Sequence, residues 1–283
     1  MNFTDFEYNG RKLSEFGCIV CNLDSGSGGL ETKDVGNKLT FNKLTFKGKN
    51  NSQRFKLTDS NYEEPFTTTI EIMKHNCNDL EDVYMSDEEV RSLVRWLNQK
   101  TFHKFKMIYP EGQFSNIYYN GSFNVQTIVL GDKIIGLSLT FEADSSYGFY
   151  EPITYNMDFS DTTNEFIIYD SSDESGFIYP ETMKIEILEN GNLTIANSLS
   201  DEKTVIHNCV KGEVLTLDPN NKLIFSTKRD STIANYFNYN FPKIINKNDE
   251  YYSEEEYAKN VFTVNLKCNI SLSYSPIAKI GVI

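Results

Sequence analysis

The stretch SDEEVRSLVRWLNQKTFHKFKMIY, residues 86–109, carries the change of period on which the fold reading turns. Ser86 has Glu89 three residues on, the spacing of a capping box, in which each side chain reaches back to the other's backbone N–H. Val90, Leu93, Val94 and Leu97 fall at i, i+3, i+4 and i+7, which makes one apolar stripe. Asp87, Glu88 and Glu89 lie at the positive end of the helix dipole, and Arg91, Arg95 and Lys100 lie further along. The spacing predicts a helix over 86–100. From Lys104 to Tyr109 the period drops to two, the signature of a half-buried strand.

Outward from this helix the alternation continues on both sides. Phe3, Phe6 and Tyr8 alternate with polar residues up to Asn9-Gly10, a turn dipeptide. The run Leu13–Asn22 then carries Phe16, Cys18 and Val20, with Leu23 beyond it, so a hairpin is predicted. Residues 24–37 are polar and Gly-rich, a long surface loop suited to function. Segments 39–46 and 66–73 alternate again, as do 104–109, 117–128 and 134–142. Tyr147-Gly148-Phe149-Tyr150-Glu151-Pro152 breaks the pattern, so the domains are read as 1–149 and 150–283. The second half reads as strands at 164–170, 182–188, 191–197, 204–209, 213–217, 222–226, 261–266 and 268–274, with a short helix at 253–258. That spacing indicates a sandwich or barrel. The fold class is mainly β, with one helix in the first domain.

Composition sets the outer bounds. Of 283 residues, 27 are Lys or Arg and 40 are Asp or Glu, a formal charge of -13. An acidic chain lacks the basic footprint that nucleic-acid recognition needs, and it does not suit anionic lipid. With 39% hydrophobic and 13% aromatic residues and charge spread evenly, the chain is not a disordered one. The start has no basic segment followed by an apolar run, and no stretch of about 18 apolar residues occurs, so neither a secretory signal nor membrane insertion is expected. Five cysteines do not form a disulfide framework; synthesis in a reducing cytoplasm with free thiols is the simplest reading.

Residues able to carry chemistry are few. Cys18-Ile19-Val20-Cys21 has half the spacing of a zinc or redox site, but it has no second pair and lies within a strand, with its two thiols on opposite faces. His75-Asn76-Cys77 and His207-Asn208-Cys209 share a tripeptide in different domains, and a strand would put His and Cys of each on one face. His103 is expected at the edge of the strand after the helix. The runs Asp170–Glu174 and Glu254–Glu256 read as solvated surface. Gly26-Ser27-Gly28-Gly29 lacks the Gly-Lys-Ser/Thr ending of a phosphate loop. No Gly-x-Ser-x-Gly elbow occurs. Trp96 and the tyrosine-rich strands suit a core better than a sugar platform. No catalytic residue, metal ligand or cofactor site is assigned: cofactors none, enzyme no, carbohydrate-binding residues unknown.

The order of elements carries a resemblance. A hairpin on Phe6-Glu7-Tyr8-Asn9-Gly10, a strand at 66–73, the helix ending Val94-Arg95-Trp96-Leu97-Asn98, the strand Ile117-Tyr118-Tyr119-Asn120-Gly121 and the strand Ile135–Glu142 follow one another. With the close Asn260–Val264 through Tyr274–Ile277, this resembles the distal tail proteins (Dit family) of siphophages that infect Gram-positive bacteria, also found in tail-like bacteriocins. The resemblance implies a tail-tube-like N-terminal β-sandwich with one helix and a galectin-like C-terminal β-sandwich. It further implies a homohexameric ring at the virion tail tip, with the tail tube protein on one side and tail-tip or baseplate hub and receptor-binding proteins on the other. The acidic surface implies that copies join through apolar and hydrogen-bonded contacts, and the 24–37 loop would order against a neighbour. The alternative is a carbohydrate-binding module in which surface aromatics such as Tyr236, Tyr239 or Tyr251 recognise cell-wall polysaccharide. A glycan hydrolase using a carboxylate pair is a third reading.

Overall fold

The computed structural model describes residues 3–21, 39–47, 53–62, 65–74, 83–110, 116–130, 132–159, 165–229, 232–246 and 258–279. The packing of the chain divides after Phe149: residues up to there, joined by Lys279, form one compact unit, and Tyr150–Ala278 form the other.

The first unit opens with β1 (Asp5–Tyr8) and β2 (Arg11–Lys12), paired antiparallel. Asn9 and Gly10 between them both have positive φ (50° and 72°), the geometry of a two-residue turn whose twist suits a hairpin. The second strand, predicted from Leu13, does not begin there. Leu13–Phe16 form a 3-10 turn, and Gly17 at φ 67° redirects the chain into β3 (Cys18–Cys21). Next come β4 (Leu39–Lys47), β5 (Gln53–Tyr62), β6 (Thr67–Lys74), α1 (Asp87–Leu97), β7 (His103–Ile108), β8 (Ile117–Leu130), β9 (Lys133–Ala143) and β10 (Gly148–Tyr150). Among these, β5 was not anticipated by the sequence reading.

Antiparallel pairing gives the sheet order β2-β1-β7-β8-β9-β6-β3. This order sends β3 to the end opposite β1, although the two are close in sequence. The sheet curls enough for these ends to meet, since the Val20 N–H donates to the Thr4 carbonyl at 3.0 Å. The inner face is aromatic. Phe6, Tyr8, Phe105, Phe123 and Phe141 are buried, with ring centroids 4.5 Å apart for Phe105 and Phe141 and 5.0 Å apart for both Tyr8–Phe123 and Phe123–Phe141. Edge-to-face and offset packing at these distances adds to what burial alone contributes.

The capping box of α1 forms as its spacing predicts. Ser86 Oγ accepts from the Glu89 N–H, and Glu89 Oε2 accepts from the Ser86 N–H at 2.7 Å. The helix stops three residues short of Lys100 because Asn98 leaves helical geometry and its amide donates to the Phe123 carbonyl at 2.8 Å. Leu93 and Leu97 of the stripe are buried, joined by Trp96. Trp96 stacks on Phe6 (5.7 Å) and Phe16 (4.5 Å), and its indole N–H donates to the Tyr8 carbonyl at 2.9 Å. It is therefore a core residue and no sugar platform.

The second unit holds β11 (Ile153–Asp158), β12 (Glu165–Asp170), β13 (Phe177–Ile178), β14 (Thr182–Ile187), β15 (Gly191–Asn197), β16 (Lys203–Cys209), β17 (Val214–Asp218), β18 (Leu223–Ser226), β19 (Ile244–Ile245), β20 (Ala258–Val264), β21 (Cys268–Tyr274) and β22 (Ile277–Ala278). One sheet runs β11-β21-β14-β17-β18, another β12-β20-β15-β16, and β13 pairs with β19. Met183, Ile185, Leu215, Leu217, Ile270 and Leu272 of the first sheet share one core with Ile168, Leu193, Ile195, Ile206, Phe262 and Val264 of the second, which makes a β-sandwich. The chain is mainly β, as the alternation predicts.

One local expectation changes in this unit. Ala258 begins β20 and so belongs to no helix; residues 253–257 of that predicted helix lie outside the described residues. Segment 232–246 is part of the core: Ile233, Phe237, Phe241 and Ile244 are buried in it. Two buried asparagines hold that segment. The Asn260 side chain accepts from the Ile245 N–H (2.8 Å) and donates to the Ile245 carbonyl (2.9 Å), while the Asn197 amide donates to the Lys243 carbonyl (2.9 Å). The polar 24–37 stretch, Gly26–Gly29 within it, lies outside the described residues.

Gly121 in β8 marks a close backbone approach in the first unit. A Cβ there would sit 2.2 Å from the Glu142 carbonyl oxygen and 2.5 Å from the Phe141 ring, and a backbone oxygen in a paired strand has little room to yield. Gly121→Ala is expected to destabilise the protein by about 3 kcal/mol, at the upper end for overpacking. Thermal denaturation of the variant beside the native chain measures it.

Candidate functional site

The residues with catalytic or ligating chemistry are placed for structure. Cys18 is buried and Cys21 half-buried on opposite faces of β3, as the alternation predicts; burial pushes both thiols up to about 11. Cys209 and Cys268 are buried, and burial raises Cys268 to about 12. Thiols held protonated in this way are poor nucleophiles at neutral pH. Cys18, Cys21, Cys209 and Cys268 are all free. His207 and Cys209 do not share a face. Asn208 adopts φ 55°, the register with β15 slips between Gly191 and Leu193, and this bulge leaves His207 exposed while Cys209 turns inward. His75-Asn76-Cys77 lies outside the described residues, as do Tyr251 and Glu254–Glu256. His103 starts β7, as expected, with its Nε2 2.9 Å from Thr101 Oγ1.

Asp170 departs from its solvated reading. It is buried, accepting from the Ser172 N–H (3.2 Å) and hydroxyl (3.0 Å), while Ser172 Oγ in turn accepts from the Ile277 N–H. Burial raises its carboxyl above the usual range, and the Ser172 hydrogen bonds counter only part of that. Because the folded value is raised, the stability linked to Asp170 is present at acid pH and lost as pH rises through the folded value.

Glu213, missed by the sequence reading, is a buried acid held on all sides. It is wholly buried and receives Arg229 through two nitrogens at 2.7 and 3.0 Å, the Val210 N–H at 3.0 Å and the Ser226 hydroxyl. Burial alone would raise its carboxyl, but Arg229 and Ser226 carry it below the ordinary value. Arg229 also donates to the His207 carbonyl at 2.7 Å, so it pins the β16 bulge, and its guanidinium lies 5.2 Å over the Tyr236 ring. With every polar atom of the pair turned to a structural partner, the cluster has no group left for a substrate. Among the described residues no group of three or more His, Cys, Asp or Glu could hold a metal ion, and no helix is long and apolar enough to cross a membrane.

Surface apolar residues are more informative. The end of the β8–β9 hairpin projects Val129 (54% exposed) and Leu130 (63%), with Phe102 (61%) exposed between α1 and β7. The signal was present in the sequence as Ile128-Val129-Leu130 before Gly131-Asp132, three apolar residues in a row where alternation should leave a polar tip. In the second unit, edge strand β12 turns Ile167 and Tyr169 outward, and edge strand β18 turns out Leu223 and Phe225. Bare apolar edges of this kind are where monomeric proteins normally place charge. Of the candidate sugar platforms, Tyr239 is 52% exposed, whereas Tyr236 is half-buried against Arg229. The arrangement fits contact with other protein surfaces better than chemistry.

Comparison with known proteins agrees. A family model described as a phage tail protein N-terminal domain matches residues 1–145, and one described as a phage tail C-terminal domain matches residues 147–274. Among solved structures, the SPP1 Dit (gp 19.1) protein, whose title calls it a paradigm of the hub adsorption apparatus in Gram-positive infecting phages, superposes with a TM-score of 0.62. The alignment covers 96% of this chain and 98% of that one at 8% identity. No curated protein sequence matches. The resemblance read from the order of elements is thereby borne out.

Glu213→Gln removes the charge while keeping the shape, and is expected to cost about 2 kcal/mol at pH 7, the scale of a hydrogen bond to a charged group. The folded-state value of Glu213 is depressed, so this stability is present above the unfolded carboxyl value and lost as pH falls through the folded one. Chemical denaturation at pH 7 and below pH 4 checks both parts: the gap between variant and native chain should narrow in acid.

Proposed function

The chain belongs to a family of phage tail proteins, and we propose that it is the distal tail protein of its particle: a structural, non-enzymatic ring of six copies at the tail tip. On this reading the ring joins the tail tube to the tail-tip or baseplate proteins and, through them, to the receptor-binding proteins. The 1–149 domain builds the ring and the 150–283 domain projects outward. The carrying observation is that the likeness to a hub protein runs over the whole length of both chains rather than over one common sandwich.

The surface agrees physically. Six identical copies close by a head-to-tail contact, in which one patch of each copy meets a different patch of the next. Val129 and Leu130 at the hairpin end, exposed on a single copy, are suited to such a patch because their burial between copies removes apolar surface from water. The carbohydrate reading is the weaker one, since Trp96 is buried and Tyr236 is taken up by Arg229.

Native mass measurement on the purified chain is expected to give a species of six copies of 32.5 kDa. Val129→Asp with Leu130→Asp is expected to raise the dissociation constant of the ring at least about tenfold, from the lost burial of two side chains. Its melting as a single copy should match the native chain. A strictly monomeric native protein absent from tail tips would refute the proposal.

A further inference from the structure

The two edges of the four-stranded sheet in the second unit are finished differently. Its order is β12-β20-β15-β16, so β12 and β16 stand at the ends. The bonds inside the sheet decide which backbone groups face outward. On β20 the Val261 N–H donates to Ser198 Oγ at 3.2 Å and the Val261 carbonyl accepts from the Ser198 N–H at 2.8 Å. Just past β20 the Asn265 N–H donates to the Thr194 carbonyl at 3.3 Å. The odd-numbered residues of β20 therefore turn their backbone toward β15, and Ala258, Asn260 and Phe262 turn theirs toward β12. Their partners there are Asp170, Ile168 and Phe166. The N–H and carbonyl groups of Glu165, Ile167 and Tyr169 are left pointing at the open edge, and among the described residues nothing bonds to them.

The far edge is covered by the chain itself. Leu193 and Ile195 of β15 turn toward β16, opposite Ile206 and Thr204, so Lys203 and Val205 face outward. The Asn238 side chain accepts from the Val205 N–H (3.1 Å) and donates to the Lys203 carbonyl (2.7 Å), and the Asn238 N–H donates to the Val205 carbonyl (3.1 Å). Arg229 takes up the His207 carbonyl next along. In the other sheet, edge strand β11 shows Thr154, Asn156 and Asp158 to solvent. Strand β12 has neither device. It carries no lysine and no proline, and two of its three outward side chains are Ile167 (43% exposed) and Tyr169 (53%). A protein that stays a single copy normally blunts such an edge.

The open edge is complementary to itself. When a second β12 is set antiparallel to the first about a two-fold axis at Ile167, Ile167 meets Ile167, and Glu165 meets Tyr169 on either side. These are the residues with free backbone, so each pair exchanges N–H and carbonyl bonds across the edge. Their side chains share the outward face, where an apolar centre is flanked by a carboxylate facing a phenol and no like charges are opposed. We propose that β12 of one copy pairs with β12 of a second copy in this register, joining their four-stranded sheets into one. The contact is closed, because the covered β16 edges leave no end for a third copy. It is two-fold, unlike the head-to-tail contact of the ring, and does not rest on the ring reading: it joins two copies whatever else each of them is assembled with.

Native mass spectrometry and sedimentation of the full-length chain over a concentration series test it. Whatever assembly the chain forms, a species of twice its mass is expected to grow in as concentration rises. Ile167→Lys sets two ammonium groups face to face at the axis and is expected to raise the dissociation constant of pairing about tenfold or more. Ile167→Pro removes an N–H that points at the open edge while leaving the β12–β20 bonds intact, and the same loss is expected. Position 167 is exposed, and a thermal melt checks that each variant folds. Hydrogen exchange gives a measure that needs no substitution: the amides of Glu165, Ile167 and Tyr169 are expected to be protected in the doubled species and to exchange fast on dilution, with Phe166 and Ile168 slow in both. Doubling that both variants retain, or a doubled species in which those three amides still exchange fast, would overturn the proposal. Protection that arises only in assembled tail particles, with no doubling of the isolated chain, would also overturn it, by making a strand of another tail component the occupant. Absence of a six-copy species sinks the ring reading and leaves this pairing standing; absence of doubling does the reverse.

Discussion

The hydrogen bond from the Trp96 indole to the Tyr8 carbonyl is the constraint that orders the first unit. It links α1 to β1 across 88 residues of sequence, and it does so inside an aromatic cluster where an unpaired N–H or carbonyl would be costly. Once that bond is made, the Phe6 and Phe16 rings are fixed on the two flanks of the indole, and the 3-10 turn that carries Phe16 is fixed with them. The turn in turn decides where β3 begins, and so which edge of the sheet it joins. Helix, turn and sheet order thus follow from one buried side chain that needs a partner.

How much of this could be read from the residues depended on whether a local period matched the final environment. Strands β14, β15 and β21 have one face on the core and one toward solvent, and their alternation located them to within a residue or so. The single α-helix of the described residues was legible for the same reason, with its cap. What failed was whatever tertiary structure imposes. The Leu13–Phe16 run alternates acceptably as a strand, but Gly17 takes a left-handed turn that sends the chain elsewhere. β5 was hidden because Phe55 and Leu57 stand among Arg54, Lys56 and Thr58, a weak apolar face on a strand outside the main sheets. β11 follows Pro152 and alternates Ile153, Tyr155 and Met157 with polar residues in a segment to which the sequence reading assigned no element.

The candidate surface was less legible than the fold. The family resemblance pointed to surfaces rather than to a cleft, yet it named none of Val129, Leu130, Ile167 or Phe225. An exposed apolar residue looks in sequence like a buried one, and only the three-dimensional position tells them apart. Charged residues misled in the opposite sense. Asp170 sits in a run of acids and serines that composition assigns to solvent, but Ser172 gives it enough hydrogen bonds to be kept inside. Glu213 looked ordinary because its partner, Arg229, is 16 residues away and meets it only through the β17–β18 pairing.

The curling of the first sheet, in which Val20 reaches Thr4, bears on how copies can accumulate. A flat sheet with two open ends offers its backbone to any number of further strands, and growth of that sort has no natural stop. Here a backbone hydrogen bond ties the segment leading into β1 to β3 at the far end of the order, so this sheet offers less free edge than a flat one. Addition of strands to it is thereby discouraged, which favours meetings through side chains and projecting elements whose angles set a count.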